Sequence, residues 1–523
     1  MAAGIGMLLG LPARLRLEGN AKQTLDVARH RLGVACALFG VAFAVVGLRL
    51  VDVTLLKETR EPHVVQALSV PPIRLRADIV DRNGELLATS LPTSSLYANP
   101  RQIANPKETA AALARVLPDI DVRDLGERLA TERSFAWIRR NLTPRQQAAV
   151  NRLGIPGLFF QKDERRFYPH ADVVGQIVGF TDIDHRGLAG IEQSFDERLS
   201  HGGGPVQLSI DLRVQHLVRE ELARQIETFK AIGGMSVVLD ANSGEIVALV
   251  SLPDFDPNSP GLASTEARFN RNTRGVYEMG STFKLFTAAM ALDSGTVSLR
   301  DGFDASKPIQ ISRFTISDYK GQNRYLTVPE IIMHSSNIGA ARMAVAAGTA
   351  RQRDFMARIG MLRRSPVELP EAAAPIIPRP WREINTMTVA FGHGISVTPL
   401  HLASGVAAIA NGGILRPTTI LKRPENAAVP GERIVAAATS EQVRKLMRMV
   451  VERGTGKSAN VPGYLVGGKT GTAEKTVKGQ YKRNAVLSSF VSAFPMTQPR
   501  YVVLAILDEP HGNASTQGYA TGG

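Results

Sequence analysis

From Leu32 to Leu48 the chain runs without a single charge, and Leu50, Val51, Val53, Leu55 and Leu56 extend the apolar stretch past Arg49 and Asp52. A bilayer is spanned by about 20 mostly apolar helical residues, or as few as ~17. Ahead of the run lie Arg14, Arg16, Lys22, Arg29 and Arg31 against Glu18 and Asp26. The excess of positive charge predicts a cytoplasmic N-terminus, residues 1–31, with the bulk of the chain outside. A cleaved signal peptide is the competing reading, since Ala42-Phe43-Ala44 matches a small-x-small cleavage pattern. That pattern lies inside the apolar run instead of after it, so residues 32–50 read as an uncleaved, single-pass signal anchor. Gly33, Gly40 and Gly47 recur on nearly one helix face, where small residues let a second membrane helix approach.

Cys36 is the only cysteine and falls within the span, so the exported part must be held by its core and not by disulfides. The chain has 523 residues, room for more than one domain beyond the membrane. Its net charge of +14 suits anionic surfaces or polymers but does not itself imply nucleic acid. Neither zinc-ligand spacing nor the aromatic-and-basic interleaving of an RNA-binding sheet is present.

Past the membrane, Arg76 to Ala88 reads as two short strands about Asn83-Gly84. Helical stretches follow near Lys107–Leu117, Arg123–Thr131 and, started by Pro144, Thr143–Leu153. His201-Gly202-Gly203-Gly204-Pro205 is the clearest break in composition. It divides a spacer, residues 51–204, from a second domain, residues 205–523. That domain opens with a strand (Val206–Ile210), a helix (Leu212–Ala231) and a hairpin (Met235–Leu239 with Glu245–Leu252) about Asn242-Ser243-Gly244. Strands then resume only after a long helical block, at Leu487–Phe494 and Tyr501–Leu507, which predicts an α+β domain and not a βαβ alternation.

Within that block, Thr282 to Leu292 carries one charge, Lys284, among apolar or small residues on every side. A helix apolar all round is a buried helix, here ending near Gly295. Burial disfavours the ammonium form, so Lys284 can accept a proton near neutrality. Ser281 lies three residues earlier on the same face, and the helix N-terminus supplies free N–H groups where an oxyanion could form. Nucleophile, base and part of an oxyanion hole thus fall together.

Ser-x-x-Lys alone is weak, because Ser317-Asp318-Tyr319-Lys320 repeats it in a polar, turn-like stretch. Ser335-Ser336-Asn337 opens or interrupts a helix from about Val328 to Ala347, and Ser458-Ala459-Asn460 is its decoy. Local capping is the plainer use of both. Gly454-Thr455-Gly456-Lys457-Ser458 resembles the tail of a phosphate-binding loop, but Val451 stands where that pattern needs glycine. Lys469-Thr470-Gly471-Thr472 follows an apolar stretch, flanked by glycines that allow close approach of a ligand to the backbone.

Taken in order, Ser281-x-x-Lys284, Ser335-x-Asn337 and Lys469-Thr470-Gly471 resemble the motif set of the penicillin-binding and serine β-lactamase family. The closest likeness is to class B penicillin-binding proteins of the division (FtsI) type. Arg76 to Gly84, Arg166-x-Tyr168-Pro169, Gly190-Ile191-Glu192 and Phe391-Gly392-His393-Gly394 are similar to further family stretches. The resemblance implies an antiparallel sheet with helices for the transpeptidase domain, an elongated α+β spacer before it, and one transmembrane helix. It implies that Ser281 attacks the penultimate D-Ala carbonyl of a peptidoglycan stem peptide, with Lys284 taking its proton and Ser335 protonating the leaving D-Ala. Asn337 would hold the substrate amide, Lys469 and Thr470 the terminal carboxylate, with Gly471 beside them. The N–H groups of Ser281 and Thr472 would receive the oxyanion. The implied partners are stem peptides, β-lactams, a SEDS-type glycan polymerase and other division membrane proteins; no metal, cofactor or nucleic acid is called for.

Two departures stand out. Met279 occupies a place where relatives commonly have proline, and the chain stops at Gly522-Gly523, where the family continues into a closing helix. The expectation is therefore a transpeptidase domain lacking its C-terminal end. Two other functions fit the same residues: a D,D-carboxypeptidase or β-lactamase using water as acceptor, and a non-catalytic division scaffold.

Overall fold

The computed structural model describes residues 19–51, 75–311, 314–477 and 480–512. The segment before Gly19, the link 52–74 and the closing Gly522-Gly523 lie outside the described residues, as do the expectations that rest on them. The chain divides into two units, Met1–Ile73 and Arg74–Gly523. In the first, one helix spans Gly19–Val51, and within its 25-residue Val27–Val51 portion an 18-residue stretch reaches a mean hydropathy of 2.4. Its length and composition fit a membrane anchor.

The second unit begins with the predicted turn. Ile79–Val80 pairs antiparallel with Leu86–Ala98 across Asn83-Gly84. Asp81 fixes the turn by accepting from the N–H groups of Asn83 and Glu85, the local use that favours Asp in turns. The second strand is much longer than expected because Ala136–Leu142 and Leu158–Phe167 flank it on either side. Helices Pro106–Val116, Val122–Leu129 and Pro144–Arg152 cover one face of this sheet; Leu96, Leu113, Leu125, Leu129 and Leu142 form a separate small core there. Thr143 and Gln146 cap the third helix reciprocally, with Pro144 at its first position.

The stretches Arg76 to Gly84, Arg166 to Pro169 and Gly190 to Glu192 meet in one buried ion cluster. Glu192, fully buried, accepts from Arg76 Nε at 2.6 Å and from Arg166 Nε at 2.7 Å. Arg76 also reaches Asp196 at 2.7 Å. The strand Val206–Gln207 then pairs parallel with Ile79–Val80, and Leu208 bridges to Leu421.

A five-stranded sheet organises the rest, in the order Gly467–Val477, Gln480–Phe494, Tyr501–Asp508, Gly233–Asp240, Ile246–Leu252, antiparallel throughout. Gly233–Asp240 is buried almost from end to end because both its faces are covered. Met235, Val237 and Leu239 point into the main core with the helix Pro399–Ala410, while Val238 packs with Val214 and Val218 of the helix Leu212–Phe229.

The block expected to be wholly helical is not. Gly302–Asp304 pairs with Tyr325–Thr327, and Ile309–Ile311 with Phe314–Ile316. Three-residue strands leave almost no periodic signal. Ile309, Ile311 and Ile316 are held instead by packing on Ala341, Met387 and Phe391.

Candidate active site

Gly280–Phe283 forms a single 3₁₀ turn that runs straight into the helix Lys284–Asp293. Every residue from Lys284 to Leu292 is buried, as the all-round apolar pattern predicts, and Gly295 follows the helix at φ +69°. Gly280 stands at φ +56°, and a Cβ there would lie 2.5 Å from the Thr472 carbonyl oxygen. Glycine thus lets the turn lie against the edge strand Gly467–Val477.

The segment from Val328 to Ala347 is two helices, Val328–His334 and Asn337–Ala347. Ser335 breaks them in the left-handed region, at φ +60° and ψ 40°. A serine is uncommon there. The conformation turns both the Ser335 carbonyl and its hydroxyl toward Lys284, at 2.7 and 3.1 Å from Nζ.

Lys284 Nζ also lies 2.7 Å from Ser281 Oγ and 2.7 Å from Asn337 Oδ1. The Asn337 amide cannot be turned around, because its Nδ2 donates to the Ser317 carbonyl at 2.9 Å. Lys284 is fully buried, and its pKa falls well below the ordinary lysine value. Burial is the main cause and the nearby Lys469 amine adds to it, while the Asp318 carboxylate opposes them. A neutral amine has two N–H bonds and one lone pair. The Ser335 carbonyl and Asn337 Oδ1 can only accept, so they take the two N–H bonds. The lone pair is left for a hydroxyl, and Ser281 at 2.7 Å is closer than Ser335 at 3.1 Å, which is the arrangement a general base requires.

Lys469, on the edge strand, is also fully buried. Its Nζ donates to Ser335 Oγ at 3.0 Å and to the Thr470 carbonyl at 3.0 Å. The Ser335 hydroxyl therefore sits between two amines, a position from which it can pass a proton. Thr470 Oγ1 is 2.7 Å from Thr455 Oγ1. Gly471 and Thr472 continue the strand; a Cβ on Gly471 would lie 2.9 Å from the Met279 carbonyl oxygen. Ser281, Lys284, Ser335, Asn337, Lys469 and Thr470 are thus joined by hydrogen bonds, with Gly471 and Thr472 packed against the Ser281 turn.

Burial pushes the Lys469 amine down to about 7. The same amine in the unfolded chain holds its proton to about 10.4. Between those values the unfolded state binds more protons, so stability rises with pH across that window, and the burial penalty is complete below it. Lys469→Met is expected to raise the melting temperature more at about pH 6.5 than at about pH 10. It should also weaken binding of a substrate carboxylate. A gain no larger at the lower pH would contradict a buried amine of lowered pKa.

Three participants escaped sequence reasoning. Asp318, in the rejected second Ser-x-x-Lys stretch, accepts from Ser336 Oγ and from the N–H groups of Asn337 and Ile338. Thr455, in the rejected phosphate-loop look-alike, touches Thr470. Glu278 meets His393 Nδ1 at 2.6 Å and the Gly394 N–H at 2.9 Å, tying the segment before Ser281 to the Phe391 to Gly394 loop. Only the last pair carried a signal, since both its stretches resemble family motifs.

Residues 234–522 match the family described as penicillin binding protein transpeptidase domain, and residues 73–217 the penicillin-binding protein dimerisation domain. The chain is 41% identical over 461 residues to a probable peptidoglycan D,D-transpeptidase FtsI of Caulobacter vibrioides, covering 86% of this chain and 78% of that one. It is 34% identical to a probable peptidoglycan D,D-transpeptidase PenA of Neisseria meningitidis, covering 98% and 93%. Among solved structures, penicillin binding protein 3 of Mycobacterium tuberculosis, complexed with aztreonam, superposes with a TM-score of 0.68 at 25% identity, covering 85% of this chain and 92% of that one.

Proposed function

The chain belongs to the penicillin-binding transpeptidase family, and from that premise we propose that it cross-links peptidoglycan stem peptides through an acyl-enzyme on Ser281 during septal wall synthesis. It is a peptidoglycan D,D-transpeptidase, a serine acyltransferase of the class that β-lactams acylate. The observation that carries the assignment of residues is the buried Lys284 amine 2.7 Å from Ser281 Oγ.

In this reading Ser281 Oγ attacks the penultimate D-Ala carbonyl while Lys284 takes the hydroxyl proton. The charge that develops on the carbonyl oxygen is received by the N–H groups of Ser281 and Thr472. This is supported by their proximity and by the N–H groups left free at a helix start. The C–N bond then breaks, the proton passes through Ser335 to the departing D-Ala nitrogen, and the stem remains as an ester on Ser281. An amine of a second stem attacks the ester; the ester C–O bond breaks and the amine's proton passes by way of Lys284 to Ser281 Oγ, leaving the new amide, a free Ser281 hydroxyl and a neutral Lys284. Asn337 Oδ1 keeps one lone pair for the substrate amide after accepting from Lys284. Lys469 and Thr470 hold the terminal carboxylate, whose arrival favours the charged form of the amine. Among the described residues the strand Gly467–Val477 has a ladder partner on one side only, so an extended stem peptide can lie along the other.

The anchor helix supports a single-pass inner-membrane protein, N-terminus cytoplasmic and catalytic domain periplasmic. A SEDS-type polymerase is the proposed membrane partner, docked on the Gly33, Gly40 and Gly47 face. Gly40→Leu is expected to reduce copurification of that partner and leave penicillin acylation as it was. Unchanged copurification would refute the docking face.

The acceptor is settled by incubating the full chain with a stem pentapeptide and an amine acceptor, then separating products by mass. A cross-linked peptide with release of D-Ala supports transpeptidation. A trimmed tetrapeptide alone would make the protein a carboxypeptidase.

A further inference from the structure

The loop between the strands Phe314–Ile316 and Tyr325–Thr327 carries a carboxylate that the reaction above leaves unused. Asp318 Oδ1 accepts from the Asn337 N–H at 2.5 Å and the Ile338 N–H at 3.0 Å; Oδ2 accepts from the Ser336 hydroxyl at 2.7 Å. Its neighbour Ser317 takes the Asn337 side-chain N–H through its carbonyl. The helix Asn337–Ala347 already has its own cap, since Ser336 Oγ accepts from the Gly339 N–H at 3.0 Å. Asp318 is therefore a second cap, supplied from a separate loop.

Asn337 is held from this loop at both its backbone and its side-chain nitrogen. The remaining end of the side chain, Oδ1, is the one that Lys284 meets. We propose that Asp318 is a positioning residue for the base: it fixes Asn337 so that the Lys284 lone pair faces Ser281, and its charge sets where Lys284 titrates. The inference rests on the reading of Ser281 and Lys284 given above.

Among the described residues, the charged groups acting on Lys284 are Lys469 from the edge strand and Asp318 from this loop. Asp318 favours the ammonium form and Lys469 opposes it. Since Lys284 acts as base only when neutral, removing the Asp318 charge shifts the acid limb of acylation to lower pH. A purely structural cap would not move that limb.

The test is the pH profile of acylation by a fluorescent penicillin on the full chain, for wild type, Asp318→Asn and Asp318→Ala, with Ser281→Ala in parallel. Asparagine can still accept the two backbone N–H bonds and can donate to Ser336, so Asp318→Asn removes the charge and keeps the shape. Its acid limb should fall at lower pH than that of the wild type. Asp318→Ala releases Asn337 and should acylate about 10²-fold more slowly, the size expected when a reacting group is misplaced. An unmoved limb in Asp318→Asn, or wild-type rates in Asp318→Ala, overturns the inference. Should Asp318→Ala fail to fold, the limb of Asp318→Asn decides alone. Wild type that carries no label at Ser281 overturns the transpeptidase reading instead.

Discussion

Lys284→Ala is expected to slow acylation of Ser281 by penicillin about 10²–10⁴-fold, the range typical for loss of a general base. Among the described residues, no other base is placed for the serine hydroxyl. Lys469, the second buried amine, meets Ser335 Oγ and not Ser281. The variant should fold, since an amine buried with its pKa well below the ordinary lysine value weighs against the folded state at neutral pH. Rates measured alongside thermal unfolding separate the two effects. Acylation within a few-fold of wild type, in a folded variant, would remove Lys284 from the role of base.

Glu192→Ala is expected to destabilise the second unit by about 3–5 kcal/mol, the range for breaking a buried ion pair from one side. The carboxylate is fully buried between Arg76 and Arg166, whose side chains are 1% and 2% exposed. Removing it leaves two guanidinium groups facing one another with little water. The size of the effect does not mean that the cluster is worth that much relative to an apolar core, because desolvation opposes the attraction. Denaturant unfolding checks it. A surface pair gives the contrast: Arg123 and Glu127, 91% and 73% exposed, should tolerate alanine with hardly any change. If Glu192→Ala behaved like the surface pair, the three stretches that resemble family motifs would not be joined as described.

What the sequence could and could not reveal follows from the range of each interaction. The helix after Ser281 was legible because burial on all sides leaves a run of apolar residues with one lysine in it. The Asn83-Gly84 turn was legible because its geometry is set by the residues in the turn and by Asp81 beside them. Ser335 was recognised as a place where a helix opens or breaks, but nothing local showed that it would take a left-handed conformation. That conformation is sustained by Lys284, 51 positions away.

Asp318 was passed over for a related reason. Its stretch repeats Ser-x-x-Lys in a polar context, and the dismissal of Ser317 and Lys320 as a catalytic pair rested on that context. The contribution of the loop is made instead through a carbonyl oxygen and a carboxylate reaching residues 18 to 20 positions later. Arg76 and Glu192 stand 116 positions apart, so composition could not show that they pair. The short strands between residues 302 and 327 were missed because packing against a neighbouring helix, not their own three-residue pattern, makes them strands.

The most direct measurement is the intact mass of the full chain after incubation with penicillin, followed by mapping of the modified peptide. The account predicts one adduct, on the peptide containing Ser281, and none in Ser281→Ala. An adduct on another residue, or a folded wild-type chain of unchanged mass, would contradict it.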